Sequence, residues 1–472
     1  MQLPEIFLES LNGLRGFNKG AFEKVHTSGE QVTSIRINPR KWSIVNGQWA
    51  MGNTHLPGSY APLPKADHIR HSQLTIDQRV PWTQYGFYLS KRPSFTFDPM
   101  FHAGCYYVQE ASSMFLEQAL KQTVDLSRPL KILDLCAAPG GKSTHILSLI
   151  SKDSLMVSNE VLKSRAAVLR DNITKWGYSN VVVTCSDPKN FQKLENYFDV
   201  IVVDAPCSGS GLFRREPEAI EEWSPGNVQL CSRRQQRILA DVFPALKKDG
   251  VMIYSTCSYS KEENEDIGKW IMEEYNTEGI ELKIEKEWGI VPSEIGYRFY
   301  PDKLKGEGFF LACFRKTEGK ETASERMKDK PQKISSAETQ LIANWVNAAN
   351  LNFILHDQTV HAIPPHLRTD IRIISNHIHV ISFGTIIGEM IRDKVVPDHA
   401  LAMSGLVSDH ILRMDLDHDQ AIRYLKKKEI NVKIEKTGWH LIMHQGQPLG
   451  WMNVLPGRMN NYYPKELRIL KD

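Results

Sequence analysis

Between residues 130 and 315, short apolar runs alternate with longer segments in which apolar positions recur every three to four residues. The runs at 130–136, 155–160, 181–185, 200–204 and 251–256 predict strands buried on both faces. The periodic segments at 142–151, 163–176 and 227–247 predict helices between them, the last one closed by Asp249-Gly250. This order of strand and helix is that of an α/β, doubly wound parallel sheet. Residues 280–285 and 309–314 are expected to pair as its antiparallel end.

The flanks read differently. Residues 1–120 mix helical patterns with short strands, as in an α+β unit; 31–38 alternates well enough for a strand and 97–113 runs toward a helix with Gln109 and Glu110 near its start. Residues 316–333 carry ten charges in eighteen and no aromatic, the composition of a linker. Beyond it, 337–349 is expected to be helical, 371–383 to form strands, and 438–450 to belong to a small β-rich module. The expected units are therefore 1–120, 121–316, a linker at 317–333, an α+β connecting unit at 334–395 and a terminal module at 396–472.

Composition narrows the class. A chain of 472 residues exceeds one hydrophobic core, and 41% hydrophobic with 24% charged residues is ordinary for a globular protein. A net charge of +3 gives no polyelectrolyte character, so any nucleic-acid contact must come from local clusters. The start, MQLPEIFLES, lacks a basic stretch leading into an apolar run, and no membrane-length apolar segment occurs; a cytoplasmic protein that contacts no membrane is expected. The seven cysteines lie at least 22 residues apart, which predicts reduced thiols and no metal-type pair. His377 and His379 alternate on a predicted strand without a third ligand, so no metal is expected.

The candidate chemistry gathers at predicted strand ends. In 131–143, KILDLCAAPGGKS, glycines stand where a first strand turns into a helix, a place that brings backbone N–H groups against a nucleotide-like ligand. Cys136 occupies the position where a Walker A loop needs glycine, and the dinucleotide spacing is absent, so a nucleoside cofactor without pyrophosphate fits better. Cys136, Ala137, Ala138, Pro139, Gly140, Gly141 and Lys142 are its candidate loop. Glu160, at the second strand end, can bond ribose hydroxyls, and Asp187, after the third, can reach an adenine amino group, although each alone also suits a cap. In 198–211, FDVIVVDAPCSGSG, a buried run breaks into Asp204, Pro206 and Cys207. In 255–258, STCS, Cys257 ends a neighbouring strand. A lone strand-end cysteine is usually inert packing, but two on adjacent ends beside a carboxylate suggest a site.

Together, LDLCAAPGGKS, DAPCSGSG, YSTCS and the later GEGFF at 306–310 resemble the S-adenosylmethionine-dependent RNA cytosine-5 methyltransferases of the Nop2/Sun type. The resemblance covers about residues 100–315. The tail, PLGWMNVLPGRMNNYYPKELR at 448–468, is similar to the PUA-like end of bacterial small-subunit ribosomal RNA methyltransferases of that family. It implies a Rossmann-like class I methyltransferase domain with an RNA-contacting N-terminal domain and a C-terminal PUA-like RNA-binding module. It implies S-adenosyl-L-methionine as cofactor and 16S rRNA, in the decoding region of the small subunit, as substrate, acted on by a monomer; another ribosomal cytosine, a transfer RNA or a non-catalytic assembly role are the alternatives. By the same resemblance Cys257 is the nucleophile, Cys207 assists product release, Asp204 bonds the cytosine edge as well as lining the cofactor site, and Lys142 supplies charge or orients Asp204. Candidate RNA contacts are Arg214, Arg215, Arg233, Arg234 and Arg237, with Arg423 and Lys426–Lys428 in the tail. Arg36, Arg40 and Lys41 beside Trp42 could grip a backbone or form a solvated face.

Overall fold

The computed structural model describes residues 2–45, 48–51, 74–319, 334–347, 350–356, 358–432 and 436–471, so most of the charged linker, 320–333, lies outside the described residues. The middle of the chain forms a mixed sheet whose parallel part comprises β1 (Lys131–Asp134), β2 (Leu155–Asn159), β3 (Val181–Thr184), β4 (Phe198–Asp204) and β5 (Leu246–Thr256). The antiparallel β6 (Phe309–Lys316) pairs with β5. The spatial order runs β6, β5, β4, β1, β2, β3. From β1 the chain therefore winds outward through β2 and β3, then crosses to the other side at β4. Helices α1 (Gly141–Leu149), α2 (Lys163–Trp176) and α3 (Pro225–Val242) make the crossovers.

The burial of β4 explains its uninterrupted apolar run. Val200 and Val202 enter one hydrophobic core, whereas Ile201 and Val203 enter the other, so each face of the sheet is covered and alternation would leave polar atoms inside. Helix α2 ends at Gly177, which takes a left-handed φ of 84°. Helix α3 begins on Ser224, whose side chain accepts from Asn227 N, with Pro225 in its first turn. It stops at Val242, sooner than expected, because Pro244 follows in a short 3-10 turn (Phe243–Ala245).

Several expectations are corrected. Residues 371–383 are not all strand. Ile371, Ile374 and Ile378 recur with helical spacing and pack inward, so Arg368–His377 is a helix, and only β7 (Val380–Phe383) is extended. His377 thus closes a helix and His379 lies outside the strand; among the described residues no group of metal-ligating side chains occurs. β7 pairs antiparallel with β3, so this later segment extends the central sheet. Residues 280–285 form no strand; Thr277–Gly279 pairs with β6 instead, while Leu282 N and Lys283 N donate to side chains, Tyr297 and Gln122. Residues 97–113 break into a helical turn (Pro99–His102), a strand (Tyr106–Val108) and the start of a 3-10 turn (Ser112–Phe115). The helix expected at 337–349 spans Ser336–Ala343.

The strand expected at 31–38 is present as Thr33–Ile37, inside a four-stranded N-terminal sheet. The C-terminal sheet is built from Leu412–Asp415, Gly438–His444, Gln447–Leu455 and Arg458–Asn461. These two sheets share one core, in which Ile35, Phe87 and Tyr106 join Leu425, Leu449 and Tyr463. Arg36 and Lys41 are buried in the neighbouring seam and are neither an RNA grip nor a solvated face, whereas Arg40 stays exposed with its guanidinium on backbone carbonyls. Asn38, Arg40 and Lys41 donate to the carbonyls of Trp176, Gly177 and Lys175 at the end of α2, and Arg36 donates to Gln109, Gly141 and Thr144. Cations belong at that end of a helix, where carbonyls lack intrahelical partners. Among the described residues no helix is long and apolar enough to cross a membrane.

Candidate active site

In a doubly wound sheet, the crevice lies at the carboxyl ends of the strands where the winding reverses, here between β1 and β4. After β1, Ala137 N donates to Asn159 O, Arg165 Nη2 to Ala138 O and Asn172 Nδ2 to Pro139 O, so α2 and β2 hold the loop from outside. Gly140, at φ 114°, turns the chain into α1, and its carbonyl accepts from Thr144. No side chain lies easily at that φ, which is why glycine stands there.

Glu160 sits buried at the end of β2, accepting from Leu162 N at 3.0 Å, with Arg165 3.4 Å from its other oxygen. Asp187 follows β3, where it is exposed and caps a 3-10 turn through Lys189 N. Asp187 is a local cap, Glu160 accepts from the backbone at the entry to α2, and the two occupy successive strand ends. Beside them Val161 and Leu162 leave half their apolar surface uncovered. A purine nucleoside fits such a combination: fixed carboxylates for hydroxyl or amino groups, and apolar side chains for a ring face.

Asp134, not singled out from sequence, is fully buried beneath the loop. One oxygen accepts from Ser143 at 2.7 Å and the other has no partner; burial pushes its pKa up to about 7. At the end of β4, Asp204 meets Lys142 at 2.7 Å and accepts from Ser255 at 2.8 Å. Burial opposes the charge on Lys142, but the Asp204 carboxylate outweighs it and raises the pKa of the ammonium.

The two cysteines meet. Cys207 Sγ and Cys257 Sγ are 3.1 Å apart, at neighbouring strand ends and both partly accessible, with no disulfide. The hydrogen bond to Cys257 and then burial raise the pKa of Cys207 well above an ordinary thiol. Under them, Gly211 N donates to Cys257 O and Gly308 N to Gly211 O. A Cβ on Gly211 would run into the Gly308 carbonyl, so the glycines of DAPCSGSG and GEGFF fit as one contact. The remaining five cysteines are also free thiols: Cys105, Cys231 and Cys313 are buried, and Cys136 and Cys185 are partly accessible.

The candidate RNA contacts separate. Arg214 is buried, donating to Glu30 O and Gly306 O and lying 3.7 Å from Glu307, so it fastens the N-terminal unit rather than facing solvent. Arg215 is exposed, as are Arg233, Arg234 and Arg237 on α3. Lys427 turns inward to the carbonyls of Asn461 and Tyr463, and Arg423 is exposed with its guanidinium on Glu429 O.

Family models match three successive segments: the N-terminal domain of 16S rRNA methyltransferase RsmF at 63–111, 16S rRNA methyltransferase RsmB/F at 121–315, and the methyltransferase RsmF PUA domain at 412–469. In all three segments the chain is similar to the RsmB/F methyltransferases. Among its relatives are the ribosomal RNA small subunit methyltransferases F of Shewanella loihica, 28% identical over 82% of this chain and 83% of that one, and of Escherichia coli O157:H7, 28% identical over 82% and 84%. A methyltransferase homolog from Pyrococcus horikoshii superposes with a TM-score of 0.53 at 28% identity, covering 66% of this chain and 95% of that one. NSun6 from the same organism, solved with SFG, superposes at 0.50 and 21% identity over 67% and 99%, a likeness of fold. The RsmB/F match spans the crevice motifs, and the match to the RsmF PUA domain spans the C-terminal sheet.

Proposed function

We propose that this protein transfers a methyl group from S-adenosylmethionine to C5 of a cytosine in 16S rRNA, through a covalent bond between Cys257 and C6. The observation that carries the reading is the 3.1 Å approach of Cys207 and Cys257 beside the Lys142–Asp204 pair at the switch point of the sheet. The residues Ala137–Gly141, Glu160 and Asp187 would hold the cofactor, which supplies an electrophilic methyl group on a sulfonium. The rRNA substrate rests on the names of the relatives.

Cytosine C5 is a weak nucleophile. Addition of the Cys257 thiolate at C6 breaks the C5–C6 double bond and loads the electron pair onto C5, conjugated with N3. Asp204 accepts from the 4-amino group, and the Lys142 ammonium stabilises charge gathering on the N3 side. C5 then takes the methyl group. Loss of the C5 proton to a base re-forms the double bond and expels Cys257 as thiolate. Cys207, still a thiol, donates a hydrogen bond to the departing sulfur. A thiol approaching C6 from below the ring needs the base unstacked, so an unpaired or flipped cytosine is required. Arg215, Arg233 and Arg237 supply exposed charge for the backbone.

The experiment is tritiated methyl transfer to bulk transfer RNA, naked 16S RNA and purified small subunits, followed by bisulfite mapping. Label at one cytosine of 16S RNA is expected. Label in transfer RNA keeps the chemistry and moves the target; cofactor binding without label anywhere overturns the reading in favour of an RNA-binding assembly factor.

A further inference from the structure

We propose that Glu263 is a positioning residue for this reaction: its buried carboxylate ties the loop after β4 to the loop after β5 and so sets how Cys207 and Cys257 face each other. The inference rests on the cysteine chemistry proposed above. Glu263 ends a 3-10 turn (Lys261–Glu263) just beyond β5 and is fully enclosed. One oxygen accepts from Ser208 N at 2.7 Å; the other accepts from Ser208 Oγ at 2.6 Å and Ser258 Oγ at 2.5 Å. Ser208 follows Cys207, and Ser258 follows Cys257. One carboxylate thus holds the immediate neighbour of each sulfur, across 50 residues of sequence.

The surroundings make the clamp stiff. Ser258 Oγ also lies 3.3 Å from Ser208 Oγ and from Ser210 Oγ, and Ser210 Oγ accepts from Tyr259 N. From below, the Tyr254 hydroxyl donates to Glu263 O, and from α3 Gln235 Nε2 donates to Pro206 O, one residue before Cys207. The Ser208 N–H can only donate, and both hydroxyls turn their protons to the other oxygen. Glutamine would set an NH2 there and force both hydroxyls to turn round and accept, and alanine would leave the backbone and hydroxyl donors buried without partners. A carboxylate enclosed without a basic partner is expensive to keep, which argues that its placement serves the site above it. Burial raises the pKa of the Glu263 carboxyl, and the hydrogen bonds from Ser208 and Ser258 counter that rise.

The test compares full-length wild type with Glu263→Gln, Ser208→Ala and the double variant. Steady-state methyl transfer, cofactor binding by calorimetry, thermal unfolding and the ratio of iodoacetamide labelling at Cys207 and Cys257 are measured. Misplacing a reacting group by about an ångström costs roughly 100-fold in rate, so Glu263→Gln is expected to lower kcat about 10- to 100-fold, with KM for RNA and cofactor affinity unchanged. The labelling ratio is expected to shift toward Cys207. Ser208→Ala should act in the same direction more weakly, and the double variant should be no slower than Glu263→Gln alone. Wild-type kcat and labelling ratio in Glu263→Gln, or a loss confined to folded fraction or cofactor affinity, would overturn the proposal. If Glu263→Gln fails to fold, Ser208→Ala decides by the same measures. The labelling ratio needs no RNA, so it judges the clamp even where wild type methylates nothing, an outcome that sinks the functional reading separately.

Discussion

The crevice at the ends of β4 and β5 and the seam where the N-terminal and C-terminal sheets meet α2 both bury charged groups, but they satisfy them differently. In the crevice, charge meets charge or hydroxyl: Lys142 with Asp204, and Glu263 with Ser208 and Ser258. In the seam, cations meet backbone: Lys41 donates to the carbonyls of Ala103 and Lys175, and Arg40 to those of Gly177 and Ser404. Burial lowers the pKa of Arg36 to about 9 and that of Lys41 to about 8. The seam histidines are held neutral, His102 at about 4 and His399 at about 3, with burial the leading cause in both. The contrast separates two uses of a buried charge. Carbonyls at a helix end fix one domain on another, whereas in the crevice side-chain partners fix the loops that carry the reactive groups.

The widest gap between the two regions should appear on removing sulfur. Cys257→Ala is expected to abolish methyl transfer while leaving cofactor affinity and unfolding temperature unchanged. Cys207→Ala is expected to leave a protein–RNA adduct visible on denaturing gels, and adduct formation by Cys257→Ala would reverse the assignment. In the seam the opposite signature is expected. Lys41→Met leaves the carbonyls of Ala103 and Lys175 without a donor and should cost about 2–3 kcal/mol in denaturant unfolding, with kcat per folded molecule retained.

Acid should also act on the seam. His102 and His399 take up protons near pH 6.5 when unfolded, but only near pH 4 and 3 when folded. Between those values the unfolded chain binds more protons, so their contribution is full above about pH 6.5 and is lost as pH falls toward 4 and then 3. Denaturant titrations at pH 7, 5.5 and 4.5 should show falling stability, and His102→Gln should flatten that slope.

The smallest effects are expected at the surface. Arg215→Glu should weaken RNA binding and lower its salt slope by about one. Arg214→Ala, two contacts deep in the N-terminal attachment, should instead lower the unfolding temperature. A reduced salt slope in Arg214→Ala would place that residue on RNA and blur the line between seam and surface.

The two regions were also unequally legible. The crevice was readable because its residue types are rare at such places: an acid, a proline and a cysteine directly after a buried run, and glycines directly after another. Its clamp was not, since Glu263 lies in KEENE, a stretch that looks like a solvated helix start. The partial signal was its spacing of five residues from Ser258. The segment Arg368–His377 reads as strand because isoleucine is β-branched, but tertiary packing of Ile371 and Ile374 overrides that preference and makes it a helix.

What the chain determines by itself is local and periodic: buried strands, amphipathic helices, caps, and the reactive groups placed at the ends of strands. These follow from steric limits on the backbone and from the period at which apolar residues recur. The tertiary structure alone decided that Cys207 and Cys257 lie 3.1 Å apart, that Glu263 bridges their loops, and that Arg36, Lys41 and Arg214 face inward. An arginine has the same sequence pattern whether its guanidinium meets water, a phosphate or the carbonyl end of a helix far along the chain. Only the fold supplies that partner.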